Sequence, residues 1–152
     1  MNPLAHFLLS LLVVDIVFGN AERFLFYILI FSVLIDLDHI IYISSVKGDL
    51  LRQKFGSGSR SRFHELYGLT LLSLGISILS VHDLILMQVI GLSIILHYAS
   101  DFLSGKTRPF YPFSEKEVCL HICPQEYRLH AEIVLTILLG VMVWLRGISW
   151  SL

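Results

Sequence analysis

The stretch Leu34-Ile35-Asp36-Leu37-Asp38-His39-Ile40-Ile41 sets two carboxylates and an imidazole inside an apolar run that extends from about Phe24 to Ser44. A run of about 20 residues is long enough to cross the hydrocarbon core of a bilayer. An aspartate at the centre of such a helix costs about 2.5–3.5 kcal/mol on insertion scales. Three ionisable groups within four residues therefore demand a compensating partner. A metal ion is the simplest one, because it brings opposite charge and takes oxygen and nitrogen donors together. The alternative is a buried polar cluster that only hydrogen-bonds or lines a water cavity.

Composition agrees with a membrane setting. Of 152 residues, 55% are hydrophobic and 15% charged, with mean hydropathy +0.76. A soluble domain is usually 45–50% apolar and about a quarter charged. The chain thus reads as one integral membrane domain, 1–152. A net charge of −1 gives no reason to expect a nucleic-acid partner. Cys119 and Cys123 form no disulfide framework. With His121 they offer three zinc donors at an unusual spacing, and buried or idle residues are the better reading. The first apolar run has no Lys or Arg before it, contains His6 and Asp15, and lacks a clear small-x-small site, so a removed signal peptide is not expected.

Five apolar stretches predict an all-α, five-helix transmembrane bundle: about Pro3–Phe18, Phe24–Ser44, His64–Ser80, Leu84–Leu103 and Leu129–Leu145. Asn2 before Pro3 is a cap followed by a first-turn proline. The 47–62 loop holds Gly56-Ser57-Gly58-Ser59 and reads as a flexible linker. In the 104–128 loop, Phe110, Tyr111 and Phe113 suit the headgroup level, and Ser114-x-x-Glu117 reads as a capping box that opens a short interfacial helix. Small residues such as Gly75, Gly91, Ser93 and Gly140 are expected to let helices approach closely.

Five crossings put nine of the eleven Lys and Arg residues on the side of the N-terminus and the two long loops, leaving Arg23 and Arg146 on the other. Positive residues favour the cytoplasm, so the N-terminus and both loops are expected there. Each helix then delivers a candidate donor to that end: His6; Asp36, Asp38 and His39; His64; His97 and Asp101; His130 and Glu132. At about 1.5 Å per residue, Asp36, His97 and Asp101 lie roughly 18, 20 and 26 Å in from the outer ends of their helices. They fall in one recessed layer. Asp15 and His82-Asp83 lie near the opposite face and read as solvated or capping groups. His97 and Asp101, i and i+4, share a helix face and can reach one ion. Asp38 points away from Asp36, and is expected to hold a second ion or to orient a histidine. A pair of ions about 3.5–4 Å apart is typical of phosphoester chemistry.

Asp36-Leu37-Asp38-His39, His64 opening the next helix, and His97-Tyr98-Ala99-Ser100-Asp101-Phe102 leading to Pro109-Phe110-Tyr111-Pro112-Phe113-Ser114 resemble the small prokaryotic membrane-bound metal-dependent hydrolases of the YdjM-like type. The resemblance covers about residues 5–115. That family is in turn similar to zinc-dependent phospholipase C and zinc nucleases. The resemblance implies a helical, multi-metal phosphoester hydrolase in which His6, Asp36, His39, His64, His97 and Asp101 occupy the matching positions. Arg60-Ser61-Arg62-Phe63-His64 departs from the family's pattern, having one histidine where many members carry two, and His130 is a candidate replacement.

The expected activity is hydrolysis of a phosphoester of a lipid or other amphiphilic phosphate at the cytoplasmic membrane face, with one or two zinc ions, or manganese. Asp38 or Asp101 would take the proton from water. Lys106, Arg108 and Arg62 would hold phosphate charge, although all three also serve as positive-inside anchors. The rival is a non-enzymatic metal-binding or metal-transport protein. A transporter would want polar residues continuing to both faces, and the outer half of these helices is nearly all apolar except Asp15.

Overall fold

The computed structural model describes residues 1–33, 36, 66–79, 82–105, 107–111, 113–118, 120, 123–124 and 126–148. Among these the chain is all-helical. Its helices are α1 (Pro3–Phe18), α2 (Leu25–Val33), α3 (Leu66–Leu79), α4 (Leu84–Ser104) and α5 (Arg128–Leu145), with a 3-10 turn at Ala21–Phe24. Two of them, α4 and α5, are long and apolar enough to cross a membrane; α1 is apolar but shorter, at 16 residues.

Helix α1 starts where its sequence dictates. The Asn2 side chain accepts a hydrogen bond from the Ala5 N–H at 2.8 Å, and Pro3 fills the first turn, where a missing N–H costs nothing. The helix ends at Gly19, whose φ of +66° suits only a residue without Cβ strain, and Asn20 follows in the left-handed region. This tight reversal, continued by the 3-10 turn, sends α2 back alongside α1.

The buried residues of α1 (Ala5, His6, Leu8, Ser10, Leu11, Leu12 and Val14 among them) lie on all its sides, because α2, α4 and α5 surround it. Leu11 and Val14 meet Ile28 of α2, Val89 of α4, and Leu139 and Val143 of α5 in one apolar core. A smaller cluster joins Ile76 of α3 to Ile90 and Ile94 of α4. Asp83 caps α4 by accepting from the Leu86 N–H at 3.0 Å. The helix then buries Val89, Ile90, Ser93, Ile94, His97, Ser100 and Asp101, a single face at helical spacing.

Side-chain contacts set the directions. Met1 N and His6 at the start of α1 meet Asp101 at the end of α4, so these helices run antiparallel. Ser32 near the end of α2 meets His97 near the end of α4, so those two run the same way. Asn2 bonds to Thr136, and Asp15 pairs with Arg146, so α1 and α5 also run the same way.

Two local expectations are corrected. Residues 114–117 form no helix: Thr107 and Val118 exchange backbone hydrogen bonds of 3.0 and 2.8 Å, which holds the segment open, and the Ser114 hydroxyl accepts from the Lys116 N–H. A capping box competes poorly when the next residues are recruited into pairing. The glycines also do not mark close approach. A Cβ at Gly75 or Gly91 would meet nothing within 4 Å, and one at Gly140 would meet only Leu8 at an ordinary 4.0 Å.

Candidate metal centre

Three helical segments bring four ionisable side chains together: His6 from α1, Asp36 just beyond α2, and His97 and Asp101 from α4. All four residues are buried, and one donor atom from each lies within 4.8 Å of every other. His6 Nε2 stands 3.2 Å from Asp101 Oδ1 and 4.0 Å from Asp36 Oδ2. His97 Nε2 stands 3.7 Å from Asp36 Oδ1 and 3.9 Å from Asp101 Oδ2. The two imidazoles stack, with centroids 3.9 Å apart and planes 21° from parallel. Each Nε2 therefore faces both carboxylates.

The ring hydrogens explain the facing. His97 Nδ1 lies 2.8 Å from the Ser32 carbonyl oxygen, which can only accept, so Nδ1 carries the hydrogen. The Ser100 hydroxyl donates to the His97 carbonyl at 2.8 Å, which leaves it to accept from His6 Nδ1 at 2.9 Å. In neutral imidazoles both Nε2 atoms are then lone pairs, aimed at oxygens that are themselves acceptors. Lone pairs converging on one point, with the opposite ring nitrogen tied to an oxygen, form the donor set of a cation site.

The dimensions fit an ion as well. Neighbouring donors around tetrahedral zinc, with bonds of about 2.0–2.1 Å, stand about 3.3 Å apart. One edge of the cluster, 3.2 Å, already has that length, and with one donor atom taken from each residue all separations lie within 4.8 Å, so the longest would shorten by about 1.5 Å on binding. Two nitrogens and two oxygens suit zinc, and manganese accepts the same donors. His6 Nε2 is buried and makes no hydrogen bond among the described residues. Leaving such an atom unsatisfied costs about 1–3 kcal/mol, which coordination would remove.

The other residues singled out from sequence divide into two groups. Asp38, His39, His64, Arg62 and Lys106, with Cys119 and His121, lie outside the described residues. His130 is described, is exposed, and is not part of the cluster. Its distance has a simple cause. Asn2 meets Thr136 and Leu8 faces Gly140, so the level of His6 on α5 falls eight to ten residues past His130, or about 12–15 Å along the helix. Glu132 is engaged by Arg128 at 3.0 Å. Arg108, four residues past the end of α4, is half-buried and lies over the Tyr111 ring, 5.0 Å from its centroid. Asp15 and Asp83 have structural work at the far end, the first with Arg146 and the second as the cap of α4.

Sequence reasoning missed Ser100 and the Ser32 carbonyl. Ser100 had a visible signal, a hydroxyl on the ligand face between His97 and Asp101. A backbone carbonyl carries none.

Compared with known protein families, with curated proteins and with solved structures, the chain matches none.

Proposed function

We propose that this protein is a membrane-embedded, metal-dependent hydrolase that cleaves a phosphoester of a lipid or other amphiphilic phosphate. The observation that carries the reading is the burial of two imidazoles and two carboxylates, from three separate segments, with donor atoms inside 4.8 Å. Such a cluster is expensive to bury even with the Met1 ammonium on Asp101 at 2.8 Å, and a cation held among its four donors would offset that cost. The resemblance to YdjM-like hydrolases points the same way.

The reading includes five membrane crossings, with the N-terminus and the site at the cytoplasmic face. The lengths of α4 and α5 support the membrane setting. So do the exposed apolar side chains of α5, Ile133, Ile137, Leu138 and Trp144 among them. His6, Asp36, His97 and Asp101 hold the ion, joined by His39 and His64. When bound there, zinc or manganese would supply polarisation of a phosphoryl oxygen and a water with its pKa lowered to about 7. Asp101 reaches both imidazoles, one with each oxygen, and can take a proton at whichever oxygen is not engaged; Asp38 is the other candidate. Arg108, Lys106 and Arg62 bind the charge of the phosphate. One observation disfavours a transport path: at the far end Asp15 is held in an ion pair with Arg146 and Asp83 caps a helix, so neither is a donor leading inward.

Elemental analysis of purified protein tests the core of the proposal and should return near-stoichiometric transition metal. A screen of phospholipids and phosphoesters with added zinc or manganese then tests the activity. A metal-free protein with its helical fold intact would remove the proposal.

A further inference from the structure

We propose that Ser100 is a positioning residue for this metal centre: its hydroxyl selects the tautomer of His6 that can bind an ion. The inference rests on the metal-centre reading above and adds a residue to it.

Two ring forms are open to His6. With the hydrogen on Nε2, the ring could donate to Asp101 Oδ1, only 3.2 Å away. That hydrogen bond would join the one Asp101 Oδ1 already accepts from Met1 N at 2.8 Å and would consume the lone pair needed for coordination. With the hydrogen on Nδ1, the ring needs an acceptor on its other side. Ser100 Oγ supplies it at 2.9 Å. A hydroxyl has one hydrogen, and that of Ser100 is committed to the His97 carbonyl at 2.8 Å, so Oγ presents only lone pairs to His6. The same contact therefore fixes which nitrogen of His6 is protonated and ties that ring to the residue carrying its stacked partner. His97 obtains the equivalent restraint from the Ser32 carbonyl. Ser100 is buried, which keeps water from replacing it as an acceptor.

The same helix supplies a matched control. Ser93 is also buried, and its hydroxyl donates to its own i−4 carbonyl, Val89, at 2.9 Å. Removing either hydroxyl deletes one buried side-chain-to-backbone bond, but only Ser100→Ala takes an acceptor from a ring. Loss of the fold would strike both variants; a change in His6 would strike one.

The experiment uses the full chain in lipid nanodiscs, with histidine ring nitrogens labelled with 15N. In metal-free protein, nitrogen NMR reports the tautomer of His6; zinc affinity is then measured by competition with a chelator. Wild type and Ser93→Ala should both show His6 protonated on Nδ1 and the same zinc affinity. Ser100→Ala should move the His6 hydrogen to Nε2 and weaken zinc binding by about 10–100-fold, the range for loss of a group that orients a ligand. Unchanged tautomer or unchanged affinity in Ser100→Ala overturns the assignment, as does equal weakening in Ser93→Ala. These failures leave wild-type zinc binding intact, whereas a wild type that binds no zinc removes the metal centre itself and this role with it.

Discussion

At one end of α1, His6 is 1% exposed and faces two buried carboxylates and a second imidazole. At the other end, Asp15 accepts from Arg146 at 2.6 Å, and the arginine side chain is 48% exposed. Both ends gather charge across long sequence separations. The far end has a fixed cation with its own solvent access and needs nothing further. The near end packs two carboxylates against two imidazoles, with Met1 N donating to Asp101 Oδ1 at 2.8 Å, and its ring hydrogens point outward to Ser100 and Ser32. A half-exposed ion pair is architecture; buried imidazole lone pairs converging on two carboxylates make a candidate binding site.

Substitutions can break that contrast. The largest effect is expected from Asp101→Asn and His97→Ala, which should lower metal affinity by at least about 100-fold and abolish phosphoester hydrolysis, whereas Arg146→Ala should leave metal content unchanged. Metal analysis and hydrolysis assays on the three proteins decide it; equal loss in Arg146→Ala would erase the distinction. Asn2→Ala comes next. It removes both the cap of the helix that carries His6 and the bond to Thr136, and should cost about 1–2 kcal/mol of stability, seen as a lower thermal midpoint. Asp83→Ala removes only a cap at the far end. It should cost about 1 kcal/mol without touching metal binding. Arg146→Ala should cost at most about 1 kcal/mol, because a half-exposed pair is screened by solvent, and the loss should shrink as salt is raised. Smallest of all, Gly91→Ala should be neutral or stabilise by up to about 1 kcal/mol, since its new Cβ meets open space.

Much of the helical framework was legible before any coordinates. The expected edges of the first, fourth and fifth stretches fall within one residue of α1, α4 and α5, because Asn2-Pro3 and Asp83 are local start signals that packing has no cause to override. The convergence of His6, Asp36, His97 and Asp101 was also readable, because alternating helices return the same end of the chain to the same level. Failures came where a neighbour distant in sequence intervened. Thr107 drew Val118 into pairing and left 114–117 without a helix, and Gly75 and Gly91 face open space. His130 shows the limit most clearly. Its place near the start of α5 suggested the site, but α5 is shifted along α1, so that Thr136 stands beside Asn2.

From sequence alone came the helices, the end at which ionisable groups collect, and the pair His97 and Asp101 as an i,i+4 set. Those properties depend on local spacing, apolar runs and alternation of direction. The tertiary structure alone decided which candidates meet, how far α5 slides along α1, and that Ser100 and the Ser32 carbonyl hold the ring hydrogens away from the carboxylates. Those depend on the rotation and offset of one helix against another. Side chains several residues or a hundred residues apart settle both quantities, through packing that no local pattern encodes.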